Sequence, residues 1–401
     1  MKDSKSLGFQ TRALHYGYDA LGEEFGAVSP PIYMTSTYAF DNTADAAAVF
    51  SGDSSRYVYG RQHNPTQELL ERRLANLEGA EAGLVTGSGM GAICSTLLTL
   101  LSAGDELIVH HTMYSTATSF VHEGLPRFGI TVKKVDLTNP ENLRSAITDR
   151  TKVIYFETPI NPTGQLLNIR TLADVARACG KAKVLVDSTF GSPALQNPLA
   201  HGADLVVHSM TKYINGHGDL LAGAVIGDAE TTGKIRTVGL KYMTGSTLAP
   251  MMCFLVMRGL KTLSVRMRQH GETALKVAQM LEQHPAVKVV RYPFLESNPD
   301  YELAKKQMRH GSGMLSFDLK SGLEGAIKMI DGLQLISRAI SLGDTESLIT
   351  HPGSLIKARQ KVEPAARLSD GVTMDLIRLS VGLEDAEDLI SDLRQSLDRL
   401  V

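Results

Sequence analysis

A single lysine, Lys212, follows a short apolar run in the sequence, and its residue type and surroundings are suited to carbonyl chemistry. Residues 205–207 have the length and β-branched content of a buried strand. A lysine at the end of such a strand is poorly solvated, which lowers its pKa, and a neutral amine can form a Schiff base with an aldehyde. Ser209 and Thr211 flank the lysine with hydroxyls that could hold a phosphate. The alternative is a surface lysine on a polar turn.

A second stretch is suited to binding an anion. Residues 82–85 form a predicted strand that runs into Ser88, Gly89 and Met90, and a helical run follows from residue 93. Glycines between a strand and a helix allow backbone N–H groups to close on an anion, and the helix dipole adds to the attraction. The pattern matches neither the dinucleotide fingerprint nor the Walker P-loop, so one phosphate is the inference. A plain tight turn is the alternative.

The elements that must position these residues alternate between strand and helix. Strands are predicted at 106–110, 131–135, 152–157 and 183–187, with helices near 115–124 and 170–179. This order predicts an α/β fold with a mainly parallel sheet covered by helices, whose ligands gather at the carboxyl ends of the strands. The carboxyl ends of these strands carry Asp187, Asn161, the turn at Gly89 and Lys212. We therefore expect these residues to lie close together. Gly216, Gly218 and Gly223, after the lysine, are predicted to make tight turns.

Three segments are predicted. Residues 1–62 have little helical periodicity, so we expect an N-terminal arm that lies on a neighbouring subunit. Residues 63–260 form the large domain, and residues 261–401 form a smaller C-terminal α+β domain with strands near 286–291, 313–318 and 376–381. In the last strand, Arg378 lies on the face opposite Ile377 and Leu379. An arginine at this position could bind a substrate carboxylate through two parallel hydrogen bonds. A structural salt bridge to a nearby Asp or Glu would explain the arginine equally well.

Composition excludes several classes of function. The 401 residues include 41 Lys+Arg and 43 Asp+Glu, so no net field favours nucleic acid or an acidic membrane. No stretch reaches membrane-spanning length, and the three cysteines are far apart, which fits a reducing cytoplasm. A metal hydrolase using His208, His217 and Asp219 is the rival from another class, but this spacing fits no common ligand motif.

Taken together, these motifs resemble the fold-type I pyridoxal phosphate (PLP) enzymes, and within them the Cys/Met metabolism family of cystathionine and methionine γ-lyases and homoserine sulfhydrylases. The resemblance covers essentially the whole chain. It rests on the ordered segments YGRQHNPT, GSGMGAI, FETPINPTG, VDSTF, DLVVHSMTKYINGHGD, SLGDTESLITHP and LIRLSVGLED. It implies PLP as cofactor, an amino-acid substrate, and a homo-oligomer, a dimer of dimers, whose active sites are shared between subunits.

The resemblance also implies a role for each matching residue. Lys212 would hold the cofactor covalently and move protons, and Asp187 would keep the pyridinium nitrogen protonated. Tyr114 would stack on the ring and act as acid–base at the leaving group. The phosphate would be bound by residues of this chain and by two residues from the neighbouring subunit: Ser88, Gly89, Met90, Ser209 and Thr211, with Tyr59 and Arg61 from the neighbour. The ring edge and the substrate α-carboxylate would be oriented by Asn161, Ser341 and Arg378.

The resemblance is greatest to methionine γ-lyases, but it breaks at positions that select the substrate. Those enzymes usually have a cysteine where Thr116 stands and an aspartate where Tyr242 stands, and cystathionine γ-lyases have a glutamate where Ile340 stands. We therefore predict a γ-lyase that releases the γ-substituent of an L-amino acid, with Thr116 and Tyr242 in the substrate site. Two alternatives stay open: a γ-lyase for an O-substituted substrate such as canavanine, and γ-replacement on an activated homoserine.

Overall fold

The structure, a computed structural model, describes residues 6–362 and 371–401, and two β-sheets organise it. The first sheet has seven strands: β1 Ala82–Thr86, β2 Glu106–His110, β3 Thr131–Val135, β4 Thr151–Glu157, β5 Lys183–Asp187, β6 Leu205–Ser209 and β7 Gly223–Gly227. The second sheet has five: β8 Val287–Arg291, β9 Met314–Leu319, β10 Ser337–Arg338, β11 Leu348–Thr350 and β12 Leu376–Ser380.

The first sheet is mainly parallel, as predicted. Its strand order is β1-β7-β6-β5-β4-β2-β3, and the pairs from β6 to β3 are all parallel. Strand β7 was not predicted, and it runs antiparallel to both β1 and β6. The fold class is therefore confirmed, with one antiparallel strand inserted between β1 and β6.

Gly223 corrects the prediction of a tight turn at that position. It is the first residue of β7 and pairs with Thr86 on one side and Ser209 on the other. A Cβ atom there would lie 2.1 Å from the Ser88 carbonyl oxygen, so only glycine allows the three backbones to come this close. Gly216 and Gly218 do occupy turns, with φ of 73° and 65°.

Burial of both faces explains why the central strands of this sheet are mostly apolar, whereas the edge strand β3 carries two lysines and is partly exposed. Along β2, Leu107 and Val109 pack into one core cluster, whereas Ile108 packs into another on the opposite face. In β4 the same alternation places Tyr155 on the first face and Phe156 on the second. Successive strand residues point to opposite faces, so two helical layers are needed to cover them.

Fifteen α-helices are described in the two ranges: α1 Phe9–His15, α2 Thr43–Ser51, α3 Pro65–Glu78, α4 Gly89–Leu100, α5 Ser115–Ser119, α6 Pro140–Ala146, α7 Ile169–Cys179, α8 Ser192–Leu195, α9 Ala229–Lys234, α10 Pro250–Leu260, α11 Leu263–Gln283, α12 Tyr301–Gln307, α13 Gly322–Asp331, α14 Pro352–Arg359 and α15 Ala386–Leu397. A π-helix spans Ile235–Thr244. In the described residues, none of the helices is long and apolar enough to cross a membrane.

The N-terminal segment is more helical than its sequence pattern predicted. Helices α1 and α2 both form there, each shorter than three turns. Large apolar side chains in this segment are strongly exposed, among them Leu21, Phe25 and Val28, which are 83–97% accessible. The segment therefore carries apolar surface that the rest of the described chain does not cover.

The second sheet has the strand order β10-β11-β12-β9-β8 and its own hydrophobic cluster. Ile377, Leu379 and Val381 pack in that cluster, so the predicted face of β12 is confirmed. Arg378 lies on the opposite face and is directed away from this core. The domain boundaries at residues 62 and 260 stay predictions.

Candidate active site

A cavity of about 230 Å³ opens at the carboxyl ends of β4, β5 and β6, where the first sheet meets the second. Most of the predicted site residues line it. They are Ser88, Gly89, Met90, Tyr114, Asn161, Asp187, Ser209, Thr211, Lys212, Ser341 and Arg378. Ile340, predicted as a position that selects the substrate, also lines it. The walls are completed by residues that were not predicted as part of the site: Ile93, Glu157, Pro159, Thr189, Phe190, Leu221 and Leu342. The convergence expected from strand order is thus present in the structure.

Lys212 enters this cavity from the turn after β6. Its Nζ donates a hydrogen bond to the Ser341 hydroxyl at 3.0 Å. Burial lowers the pKa of Lys212, the nearby Asp344 carboxylate raises it, and the Arg378 guanidinium lowers it further. The lysine is therefore placed where its amine is more readily neutral than on a protein surface.

Two carboxyl groups stand side by side at the ends of β4 and β5, because Glu157 and Asp187 are paired in register. Asp187 accepts a hydrogen bond from the Thr189 backbone N–H at 2.9 Å, and burial raises its pKa. Glu157 accepts the Tyr114 N–H at 2.7 Å, and burial, followed by the Asp187 charge, raises its pKa to about 8. A bound cation would relieve this repulsion and favour an ionised Asp187.

The anion-binding turn lies at the start of α4. Ser88 caps this twelve-residue helix and accepts the Gly91 N–H at 3.0 Å. A Cβ atom on Gly89 would lie 2.8 Å from the Ser209 Cβ, so glycine is required for the turn to approach β6. The helix N-terminus, the Ser209 hydroxyl and the Thr211 hydroxyl face one end of the cavity, a favourable place for a phosphate.

Arg378 closes another side of the cavity. Its guanidinium donates to the Asn161 side-chain oxygen at 3.1 Å and to the Ser341 carbonyl at 3.0 Å. Burial lowers its pKa to about 10. No ion pair to a carboxylate joins it within residues 6–362 and 371–401, so a structural salt bridge does not hold the guanidinium there, and its binding of a substrate carboxylate stays a prediction.

Four predicted site residues lie outside this cavity. Tyr59 and Arg61 line a separate surface cavity, in which Arg61 donates to the Lys241 carbonyl oxygen and stacks at 5.5 Å from the Tyr59 ring. Tyr242, next to Lys241, is 66% exposed, and Thr116 is exposed on α5. Tyr59, Arg61 and Tyr242 thus belong to one surface, which we call the arm surface and define by these three residues.

Sequence reasoning missed three contributors to the site. Thr189 donates its amide to Asp187, and its hydroxyl accepts the Ser209 N–H at 2.9 Å. Glu157 holds the backbone of Tyr114. His208 makes a fully buried 2.6 Å contact with Glu78, and its charge lowers the pKa of Asp187. Two residues could have been found from the sequence. Glu157 in the segment FETP ends β4, and Thr189 in the segment VDSTF closely follows the end of β5, where site residues are expected.

The rival metal trio does not assemble in the described residues. His208 is occupied by Glu78, while His217 bonds to the Asn215 carbonyl and Asp219 accepts the Asn215 amide. Within the same ranges, the group of three ligand residues whose donor atoms are mutually close is another one, made of His110, His111 and Asp136. It lies at the ends of β2 and β3, away from the cavity's lining.

The donor set fits PLP. Lys212 would supply an amine for the aldehyde, Asp187 a carboxylate for the ring nitrogen, and the Gly89 turn a close backbone cradle for the phosphate. The lining residues are chemically compatible with PLP. A Cβ atom at position 89 would fill the space that the turn leaves for the phosphate. Fold and site together define a fold-type I PLP enzyme.

Comparison with known proteins identifies the same class of enzyme. Residues 10–398 match the model of the "Cys/Met metabolism PLP-dependent enzyme" family, and the chain belongs to that family. It is 47% identical to an L-methionine gamma-lyase of Pseudomonas deceptionensis over 98% of both chains. It is 38% identical to an O-succinylhomoserine sulfhydrylase of Pseudomonas aeruginosa, over 99% of this chain and 97% of that one.

A solved structure shares the fold. The chain is similar, with a TM-score of 0.90 and 33% identity, to a Campylobacter jejuni protein assigned as an O-acetylhomoserine (thiol)-lyase, covering 98% of this chain and 100% of that one. That structure contains N'-pyridoxyl-lysine-5'-monophosphate, which is PLP joined to a lysine. PLP as the cofactor of this enzyme, predicted from the sequence, is confirmed.

Proposed function

We propose that this enzyme is a γ-lyase that removes the γ-substituent of an L-amino acid, as a methionine γ-lyase does. The observation that carries the proposal is the cavity that brings Lys212, Asp187 and the Gly89 turn together with the guanidinium of Arg378, which is bonded only to neutral acceptors among the described residues. When bound, PLP withdraws electrons from the substrate's α-carbon. The greater identity to methionine γ-lyases than to sulfhydrylases favours elimination over replacement.

Each lining residue has a proposed task that follows from its contacts. Lys212, which is readily neutral in this cavity, accepts and returns the protons of the substrate. Asp187, held by Thr189, keeps the ring nitrogen protonated by placing a charge against it. Tyr114, whose backbone is fixed by Glu157, presents its phenol to the leaving group. Ser88, Met90, Ser209 and Thr211 bind the phosphate together with the backbone at Gly89.

Arg378 orients the substrate. Its two bonded nitrogens face Asn161 and Ser341, and the remaining guanidinium N–H groups can pair with an α-carboxylate in a fork-like geometry. This pairing fixes which bonds of the α-carbon face Lys212. Because Arg378 is buried, exchanging it for lysine would remove the fork and leave only a point charge.

The γ-substituent has room in a second cavity of about 230 Å³ beside the first. The two share Tyr114, Asn161, Ile340 and Arg378, and the second is otherwise walled mostly by apolar side chains, including Met113, Leu355 and Ile356. Apolar walls favour a thioether over a charged substituent. These walls favour methionine-like substrates, whereas Arg359, which also lines this cavity, is the residue that could pair with the distal carboxylate of cystathionine.

The test is a substrate panel. Purified, PLP-loaded enzyme is offered methionine, canavanine, cystathionine and an O-acylhomoserine, with and without added thiol. We expect 2-oxobutyrate and methanethiol from methionine, with turnover unchanged by an added thiol. Homoserine from canavanine at a higher kcat/KM would identify the O-substituted substrate instead, and a thioether product would identify γ-replacement.

We also propose a homo-oligomer, a dimer of dimers in the cytoplasm, whose active sites are shared. Tyr59 and Arg61 are suited to binding phosphate, yet they lie on the arm surface and not in the lysine's cavity. Apolar side chains of the N-terminal segment are also exposed. Both observations are explained if this surface covers the cavity of a second copy.

Coexpression of two inactive variants tests the sharing. In a heterodimer of Lys212→Ala and Tyr59→Phe chains, shared sites give one site with both lesions and one with neither. Random pairing then restores roughly a quarter of wild-type activity, because the pair has two equivalent sites. If each chain serves its own site, every site carries one lesion and the mixture stays as inactive as its parents.

A further inference from the structure

Three consecutive backbone carbonyls beside the arm surface, those of residues 60–62, each accept a side chain from a different element. The first accepts the Gln67 amide of α3 at 3.2 Å, and the second accepts the Thr247 hydroxyl at 2.9 Å. The third accepts the Arg236 guanidinium of the π-helix at 2.9 Å. We call residues 59–62 the clamped segment, and these three donor residues the clamp.

Two of the clamp residues are themselves fixed by further contacts. Gln67 is buried, and its amide also donates to the Leu248 carbonyl at 2.7 Å. Arg236 pairs at 2.7 Å with Glu71, a buried carboxylate that accepts the Val85 N–H at 3.0 Å. A donor that is held by a second partner has few alternative rotamers, so it also restrains the carbonyl that it binds.

The N–H groups of the clamped segment are paired as well. Gly60 donates its N–H to the Ser36 carbonyl at 2.7 Å, and Gln62 donates to the Tyr59 carbonyl at 2.9 Å. The backbone is therefore fixed on both sides within one chain, although the Tyr59 residue is 41% exposed. Holding an exposed segment in one conformation costs entropy, and that cost is offset when its side chains must meet a ligand in one place.

We propose that the clamp is a set of positioning residues that act through Tyr59 and Arg61, which they hold in the geometry that binds the cofactor phosphate of a neighbouring copy. The inference rests on the proposed sharing of active sites between subunits. It assigns the affinity of one copy's site for PLP in part to hydrogen bonds that lie wholly within the other copy.

The loop that carries Thr247 also touches the phosphate turn of its own chain, which gives a rival explanation. The Ser246 carbonyl accepts the Gly87 N–H at 2.8 Å, and a Cβ atom on Gly91 would lie 2.0 Å from the Ser246 Oγ. A change at Thr247 could therefore act on the cofactor of its own chain. The two routes differ in which copy's cofactor is affected, so a lesion placed on one chain of a mixed pair separates them.

The experiment adds Thr247→Val to one member of the coexpressed pair of Lys212→Ala and Tyr59→Phe chains. If sites are shared, the one competent site of a mixed pair takes its lysine from the Tyr59→Phe chain and its clamped segment from the Lys212→Ala chain. On the Lys212→Ala chain, Thr247→Val should raise the PLP concentration that gives half of the restored activity by about fivefold, as expected for one neutral hydrogen bond. On the Tyr59→Phe chain it should leave that concentration unchanged.

Hydrogen exchange of the apoenzyme gives a readout that does not depend on activity. Peptides that cover the clamped segment should exchange faster in Thr247→Val and in Gln67→Met, and like wild type in Thr247→Ser, which keeps the hydroxyl. Thr237→Val is the matched control, because the exposed Thr237 hydroxyl donates to the Gly233 carbonyl of its own helical turn at 3.1 Å. The control should change neither the exchange nor the PLP concentration.

The outcomes separate failure of this inference from failure of the proposed function. If the pair without Thr247→Val regains no activity, the sharing of sites is wrong and this inference falls with it. If that pair is active but the PLP concentration rises with Thr247→Val on the Tyr59→Phe chain, the loop acts on its own chain and this inference alone is overturned. An unchanged PLP concentration with Thr247→Val on either chain overturns it as well, whatever the exchange shows.

Discussion

The two ends of the active site are built in different ways. At the cofactor end, Lys212, Asp187 and the Gly89 turn are held by strand ends, a helix N-terminus and backbone contacts that admit no added Cβ. At the substrate end, Ile340 is 73% exposed and Leu355 47% exposed, and these side chains project from loops and a short helix. The first end is fixed by backbone geometry, whereas the second is defined by replaceable side chains. One fold can therefore keep its cofactor chemistry while its substrate changes.

The largest expected effect is at the lysine. Lys212→Ala should abolish turnover and remove the yellow colour, because no other amine lines the cavity among the described residues. Absorption spectra and 2-oxobutyrate release measure both losses. Lys181→Ala, at an exposed lysine, is the control and should behave like wild type.

A smaller but still large effect is expected at Asp187. Asp187→Ala should lower kcat by about a hundredfold or more, the usual cost of losing one preorganised electrostatic partner. Glu157→Gln is the matched comparison, since it neutralises the paired carboxyl group but keeps an acceptor for Tyr114. Equal losses in the two variants would mean that both carboxyl groups are needed and that Asp187 has no special part. Activity of Asp187→Ala within a few-fold of wild type would mean that another residue holds the ring nitrogen.

The backbone cradle gives a test of cofactor affinity. Gly89→Ala places a Cβ 2.8 Å from the Ser209 Cβ, so the turn must shift and PLP should bind roughly tenfold or more weakly, by about 1.4 kcal/mol. Gly233→Ala adds a Cβ in open space on α9 and is the control. Equilibrium titration of the apoenzyme with PLP measures both. Equal affinities in the two variants would show that the close approach at Gly89 has no part in binding.

The smallest effect is expected at the substrate end. Changing Thr116→Cys with Tyr242→Asp should raise the kcat/KM for methionine relative to other substrates by a few-fold, leaving the cofactor's absorption unaltered. Both side chains are exposed within one chain, so we expect them to reach the substrate only if the proposed shared site brings a second copy against this surface. An unchanged ratio would place selectivity at Leu355 and its neighbours on α14 instead.

The sequence predicted the cofactor end well for a physical reason. Buried parallel strands are apolar runs, and polar residues at their ends, such as Asp187 and Lys212, must meet at one edge of the sheet. Strand β7 escaped prediction because its glycines and small residues lack a strong strand pattern, and its place is determined by close packing against Ser88 and Ser209.

Other contributions depend on contacts between distant segments. The hydrogen bond of His208 with Glu78 joins residues 130 positions apart, and that of Arg378 with Asn161 joins residues 217 positions apart. Helix α1 formed despite weak periodicity because it packs against α3. Helix α2 has no buried residue and is bounded by local caps, Asn42 at its start and Gly52 at its end. Thr116 and Tyr242 were predicted from departures in sequence, and their part in substrate choice stays a prediction.

The central claim is that Lys212 is the residue to which PLP is joined, and chemical trapping tests it most directly. The loaded enzyme is reduced with borohydride, digested, and its peptides are mapped by mass spectrometry. We predict a pyridoxyl group on the peptide that contains Lys212 and on no other. A pyridoxyl group on Lys181 or Lys241 with Lys212 unmodified would contradict the account.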